Sequence, residues 1–254
     1  MLSPDRKAFL EAAESGATMI PVACSWPADL ETPLTTWLKV GDQRPPGVLL
    51  ESVEGGETLG RWSVVACDPL WTLAARRDGL ERTWRDSHRE AFSGNPFDCL
   101  RSCLAPYRPA TLPGLPPLGQ LYGMWGYELI RWIEPSVPVH PANTDGPPDG
   151  LWMLMDSILI FDQVKRLITA VAYGDLSGQR NAAASPEEAW EGAMDRINTL
   201  RQRMAAPLPP VRPLNWRPDR GETPDTRSNR TQADFHQAVD QARDHIAAGD
   251  AFQL

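Results

Sequence analysis

The run LWMLMDSILIFDQVKRLITAVAY, Leu151–Tyr173, decides the fold class. It predicts a strand to Phe161, a polar turn at Asp162–Lys165 and a return strand from Leu167 to Tyr173, because two apolar stretches flank a short, mostly polar segment. Strands that neighbour in sequence and are joined by so short a turn pair antiparallel. Helical patterns lie on both sides of this unit, so the class is α+β.

Working toward the N-terminus, GQLYGMWGYELIRWIE is an apolar run interrupted by Gly119, Gly123 and Gly126, preceded by the proline-punctuated loop RPATLPGLPPLG. NPFDCLRSCLAPY, Asn95–Tyr107, predicts a helix with Pro96 in its first turn. The stretch GVLLESVEGGETLGRWSVVACDPLWTLAAR holds two apolar runs, Val48–Val53 and Arg61–Ala66, around a loop with Gly55, Gly56 and Gly60, the pattern of an antiparallel pair. Thr32 and Pro33 open a short helix to Val40, TMIPVAC reads as a strand, and Ser3-Pro4-Asp5 opens a helix to about Ser15 that Gly16 ends.

Toward the C-terminus, Ser185-Pro186-Glu187-Glu188 starts a helix whose buried stripe is Trp190, Met194, Ile197, Leu200 and Met204. The composition then changes to a proline-rich connector with no apolar period. Thr231 caps a further amphipathic helix carrying Phe235, Val239, Ala242 and Ile246, which Gly249 closes, and Ala251–Leu254 reads as the start of a strand. The expected division is a body at 1–204, a connector at 205–230 and the opening of a second unit at 231–254. The chain reads as cut within that unit.

Among 254 residues, 25 Lys and Arg stand against 33 Asp and Glu, a net charge of −8 that argues against a nucleic-acid partner or an anionic membrane surface. No apolar run approaches the ~20 residues needed to span a bilayer. MLSPDRKAFLEAAESG lacks the apolar stretch of a secretory signal, so a cytoplasmic protein is expected. Cys24, Cys67, Cys99 and Cys103 are too thinly spread for a disulfide scaffold. Cys99 and Cys103 share a helix face, but without a second Cys or His pair nearby they read as buried thiols rather than metal ligands.

The glycines of GQLYGMWG form neither GxGxxG nor a phosphate loop and are read as close packing contacts. GxSxG and HExxH are absent, and no pair of acids has catalytic spacing. Ser52 shares a strand face with Leu50, so its hydroxyl must bond a backbone carbonyl or a ligand group, with the backbone the ordinary partner. Arg61 would ordinarily be a sheet-edge ion-pair residue.

LLESVEGGETLGRWSVVACDP resembles the N-terminal signature of the large subunit of anthranilate synthase: Leu-Leu-Glu-Ser, a glycine turn, Gly-Arg-aromatic-Ser, then Asp-Pro. GQLYGMWGYELIRWIE is similar to that family's Gly-Tyr-acid-x-x-Arg-x-x-Glu segment through Gly126, Tyr127, Glu128, Arg131 and Glu134. YGDLSG and NRTQADFHQAVDQARDHIAAGDAFQL complete the set, the last resembling the opening of the chorismate-binding region. Trp62, where Tyr or Phe is usual, and Ala66, where Gly is common, depart from the pattern.

The resemblance implies antiparallel sheets forming part of a two-sheet sandwich with flanking helices. It also implies an enzyme, a lyase that converts chorismate and ammonia to anthranilate and pyruvate in tryptophan biosynthesis. Ammonia comes from a glutamine amidotransferase partner, and Mg²⁺ polarises the departing group. The catalytic and Mg²⁺-binding positions fall in the half beyond this chain, so none is assigned here and the segment alone is expected to be inactive. By the same resemblance Ser52 contacts the feedback inhibitor L-tryptophan, with Glu51 beside it supporting the loop or its charge balance. The aminodeoxychorismate synthase large subunit and a stand-alone amino-acid-binding module remain as alternatives.

Overall fold

The computed structural model describes residues 2–41, 46–51, 60–77, 79–111, 113, 120–137, 146–210 and 227–253. They divide into two units, Met1–Pro210 and Val211–Leu254.

The first unit holds strands β1 (Leu2–Ser3), β2 (Met19–Pro27), β3 (Gly47–Leu50), β4 (Trp62–Cys67), β5 (Trp71–Arg76), β6 (Gly79–Trp84), β7 (Arg89–Phe92), β8 (Leu121–Trp125), β9 (Gly150–Leu154), β10 (Ser157–Asp162) and β11 (Leu167–Asp175). Its helices are α1 (Arg6–Glu14), α2 (Pro33–Val40), α3 (Pro96–Leu104) and α4 (Pro186–Met204), with a 3-10 helix at Tyr127–Trp132. Two antiparallel sheets result, a six-stranded one in the order β1-β2-β11-β10-β4-β3 and a five-stranded one in the order β7-β6-β5-β9-β8. The α+β class and the paired antiparallel sheets agree with the expectation.

Alternation along the strands explains why the six-stranded sheet reads as continuously apolar, since both of its faces are covered. Val64 and Ala66 of β4, Ile158 and Ile160 of β10, and Val171 and Tyr173 of β11 join Trp71, Leu73, Trp152 and Leu154 of the other sheet in the main core. Val65, Leu159, Phe161, Ile168 and Ala170 point the other way, against Val40 of α2 and Leu200 and Met204 of α4. Phe9 of α1 and Ala189, Ala193 and Ile197 of α4 cover Ile20, Val22 and Ala172.

The run expected as one strand from Leu151 to Phe161 is two, β9 and β10, and they belong to different sheets. The chain changes sheet at Met155–Asp156. Met155 is fully buried there, its N–H donating to the Gln120 carbonyl at 2.8 Å. Asp156 accepts from Arg85 Nη1 and Nη2 at 2.9 and 2.7 Å. The polar pair Asp156-Ser157 inside an apolar run thus marks the corner between the layers, with Asp156 at the crossover itself.

The sequence pattern also missed β5, β6 and β7 as a meander. In β6, Leu80 and Trp84 point into the core, but the inward position between them is Arg82, only 7% exposed. Its guanidinium pairs with Glu90 and lies 4.6 Å from the Trp84 ring, so a charge sits where the apolar period was sought. On α4 the expected Ile197, Leu200 and Met204 are buried, but Trp190 and Met194 are only partly so, and the inward positions of the first half of the helix are instead Ala189 and Ala193, whose small side chains let it lie close to the sheet. The first helix is capped by Asp5, whose carboxylate accepts from Ala8 N at 2.9 Å, rather than by Ser3. Thr32, Asn95 and Ser185 cap α2, α3 and α4.

The described part of the second unit is one helix, α5 (Gln232–Ala248). Thr231 and Asp234 form its capping box, and Gly249, at φ 82°, supplies the left-handed residue that ends it. Residues 251–253 form no strand, contrary to expectation. Among the described residues no helix is long and apolar enough to cross a membrane.

Candidate functional site

The signature at the start of the β3–β4 pair is built on a sheet edge. Among the described residues β3 pairs with β4 alone, with Leu50 opposite Val64 and Leu49 opposite Val65. Val48 packs on the main core and Leu49 on the helix-covered face, so alternation returns Leu50, half exposed, to the side of Val48. Glu51 follows and is exposed. Ser52, the expected inhibitor-contacting residue, lies outside the described residues, so Glu51 alone of the expected pair is placed.

The return side of this pair is firmly anchored. Arg61 donates from Nε to Asp162 Oδ1 at 3.1 Å and from Nη2 to Asp162 Oδ2 at 2.7 Å, with its guanidinium 4.5 Å from the Trp62 ring. Asp162 Oδ1 also accepts the amides of Val164 and Lys165, at 3.1 and 3.0 Å. Burial pushes the Asp162 carboxyl up, but Arg61 and these amides outweigh it and hold the group below the usual carboxylate range. One carboxylate therefore joins the β10–β11 turn to the start of β4, and Arg61 has the ion-pair role its sequence position suggested.

The second signature segment spans β8 and the 3-10 helix after it. The Gly126 N–H donates to the Asp149 carbonyl at 2.7 Å, and Arg131 Nη2 lies 2.5 Å from Asp149 Oδ2. Glu134 accepts from the amide and hydroxyl of Ser136, at 3.2 and 2.7 Å. Arg131 and Glu134 thus stabilise the turn, whereas Tyr127 and Glu128 are exposed. A Cβ at Gly123 would stand 2.1 Å from the Leu151 carbonyl oxygen, and one at Gly126 would stand 2.4 Å from that of Asp149. These glycines permit close strand packing, as the sequence suggested, and form no phosphate cradle.

Cys99 and Cys103 lie on α3 as free thiols, half-buried and buried. Burial pushes both thiols up, which disfavours the thiolate a metal requires. No group of three or more His, Cys, Asp or Glu side chains among the described residues could hold a metal ion. The described residues therefore do not fit a Mg²⁺ site.

The family of chorismate binding enzymes matches residues 61–254. Anthranilate synthase component 1 of Synechocystis is 46% identical over 259 residues, covering 100% of this chain and 50% of the relative. Anthranilate synthase component 1 of Pseudomonas aeruginosa is 34% identical over 255 residues, covering 98% of this chain and 50% of the relative. The chain thus spans about half the length of these curated relatives. In fold it is similar to the crystal structure of anthranilate synthase component I from Streptococcus pneumoniae, with a TM-score of 0.50 at 22% identity over 89% of this chain and 46% of that one. With the family matched over most of its length, and with the β3–β4 and β8 signatures folded as sheet-edge and strand-packing elements, this chain belongs to the chorismate binding enzymes.

Proposed function

We propose that this chain is part of the large subunit of an anthranilate synthase. In this reading the complete protein acts as a lyase in the cytoplasm. It converts chorismate and ammonia to anthranilate and pyruvate for tryptophan biosynthesis, taking the ammonia from a glutamine amidotransferase partner. The observation that carries the reading is the 46% identity across the whole chain to a relative named anthranilate synthase component 1. The comparisons do not favour aminodeoxychorismate synthesis. Mg²⁺ and the catalytic groups belong, in this proposal, to the half of the relatives that this chain does not match, and the chain alone forms no anthranilate.

The role proposed for the described half is regulatory and structural. Feedback inhibition by L-tryptophan is assigned to Ser52, with Glu51 beside it. The Arg61–Asp162 pair anchors the start of β4, the strand that pairs with β3 just before Glu51. A hydroxyl bonded to a charged ligand group contributes ~1.5–3 kcal/mol. Ser52→Ala is therefore expected to weaken inhibition roughly 10- to 150-fold and to spare turnover.

The test is to express the complete reading frame in a bacterium deleted for its own anthranilate synthase large subunit. Growth without tryptophan is the expected result. Rescue instead of a strain lacking aminodeoxychorismate synthase overturns the assignment. A stop codon directly after Leu254, with tryptophan bound and no turnover, replaces it by a stand-alone amino-acid-binding module. Unchanged inhibition in Ser52→Ala removes Ser52 from the inhibitor site without touching the assignment of the reaction.

A further inference from the structure

A cavity of about 430 Å³ lies beside α4, the end of β11 and the crossover between β9 and β10, lined by residues that include Arg85, Asp156, Asp175, Glu188, Gly192 and Arg196. Its charged groups are unevenly partnered. Arg85 and Asp156 satisfy each other, and Arg196 Nη2 donates to the Tyr173 carbonyl at 2.5 Å. Asp175, only 7% exposed, accepts the Ser177 amide on Oδ1 at 2.8 Å. Two atoms are left over. Asp175 Oδ2 and Arg196 Nε are both buried and neither has a hydrogen-bond partner. Nε stands 3.7 Å from Asp156, too far to bond.

A buried acceptor and a buried donor left unmade are each costly, and native interiors rarely keep either. Here one of each lines a cavity within the size range of small-molecule sites. The acidic lining residues Asp86, Asp156, Asp175 and Glu188 face two arginines, Arg85 and Arg196. Arg180 offsets Asp86 at the rim, and Glu188 is engaged with the Ala184 amide. The two acids that remain, Asp156 and Asp175, match the two arginines, so the lining is close to neutral and the ligand is set by the two unbonded atoms: a donor is needed at Asp175 Oδ2 and an acceptor at Arg196 Nε. Gly192 keeps one wall open, since even a Cβ there would meet only the Arg196 guanidinium, at 3.7 and 3.8 Å. The larger cavity of about 750 Å³ near Trp26, Leu30 and Met204 has no such leftover groups among the described residues.

We propose that this cavity binds a small primary ammonium compound with a hydrogen-bond acceptor close to its nitrogen, the ammonium bonding Asp175 Oδ2 and the acceptor bonding Arg196 Nε. The site is separate from the end of β3, because β10 and β4 lie between β11 and β3 in the sheet. Burial pushes the Asp175 carboxyl up, and a bound ammonium acts in the opposite direction, so binding strengthens as that carboxyl ionises.

The test uses the 254-residue chain labelled with ¹⁵N and titrated with ethanolamine hydrochloride, against sodium chloride and sodium acetate at equal ionic strength. Saturable amide shifts at Ser177 and Gly192 with ethanolamine alone are expected. Asp175→Asn keeps the acceptor for the Ser177 amide but places a donor toward the ligand, and it should weaken binding about tenfold or more. Gly192→Leu, which fills the cavity from α4, should abolish binding and carries the test if the first variant does not fold. The absence of saturable shifts, equal shifts with acetate, or undiminished binding in a folded variant overturns the proposal.

Discussion

Replacing Asp156 with alanine removes the carboxylate at the corner between the two sheets and leaves Arg85 and Arg196 facing the space. Asp156 is 4% exposed, and the two arginine side chains are 32% and 29% exposed. Breaking a buried pair by removing one partner typically costs ~3–5 kcal/mol, because the remaining charge is left uncompensated. Part of that is recovered here. Both arginines reach water, Arg85 keeps the Asp68 carbonyl at 3.2 Å, and Arg196 keeps that of Tyr173. The expected loss is therefore at the low end, about 3 kcal/mol. For a unit of this size that corresponds to a fall in Tm of about 6–12 °C. Urea unfolding followed by tryptophan fluorescence and circular dichroism measures it. Arg85→Met and the double variant complete a cycle, in which a coupling well above the ~0.5 kcal/mol scatter of independent sites is expected. A loss under ~1 kcal/mol for Asp156→Ala, or strict additivity with Arg85→Met, refutes the reasoning. The corner would then be held by the packing of Met155 and its neighbours alone.

Gly123→Ala drives a Cβ into the Leu151 carbonyl and should cost ~1–3 kcal/mol or more, whereas Gly192→Ala has room on α4 and should gain up to ~1 kcal/mol. The reverse order in thermal melts would contradict the close approach of β8 and β9. Asp175→Asn should flatten the pH dependence of stability. Burial, reinforced by Asp156 and opposed by Ser177 and Arg196, raises the folded carboxyl above its unfolded value. Between those two values the folded chain holds a proton that the unfolded chain has released, so wild-type stability falls as pH rises through that window. The variant should therefore gain on the wild type at neutral pH and lose that advantage in acid; a variant less stable at neutral pH than in acid, relative to wild type, contradicts this. In α5, Phe235, Val239 and Ile246 are 58%, 41% and 45% exposed and no residue is buried, so its amides should exchange hydrogen far faster than those of β10 and β11. Equal protection by mass spectrometry would show that α5 is packed.

What the sequence determined by itself was local or periodic. The caps at Thr32, Ser185 and Thr231, the proline in the first turn of α3 and the glycine that ends α5 act within a few residues, so their chemistry is visible in a short window. The β10–β11 turn and the antiparallel class follow from an apolar period interrupted by polar residues. The family resemblance was legible for a similar reason, since its motifs are contiguous strings. Tertiary structure decided what depends on partners distant in the chain. The apolar run at Leu151–Phe161 looks continuous in one dimension, yet Asp156 turns it between sheets because Arg85, from the end of β6, is there to compensate the buried charge. Arg82 hides a core strand because Glu90 and Trp84 let a charge occupy an inward position. Asp175 and Arg196 show nothing unusual as letters. They become a candidate ligand site only when the end of β11 and one face of α4 place an unbonded acceptor and an unbonded donor beside the same cavity, since burial, which makes an unmade hydrogen bond costly, is a property of the folded chain and not of any segment of it.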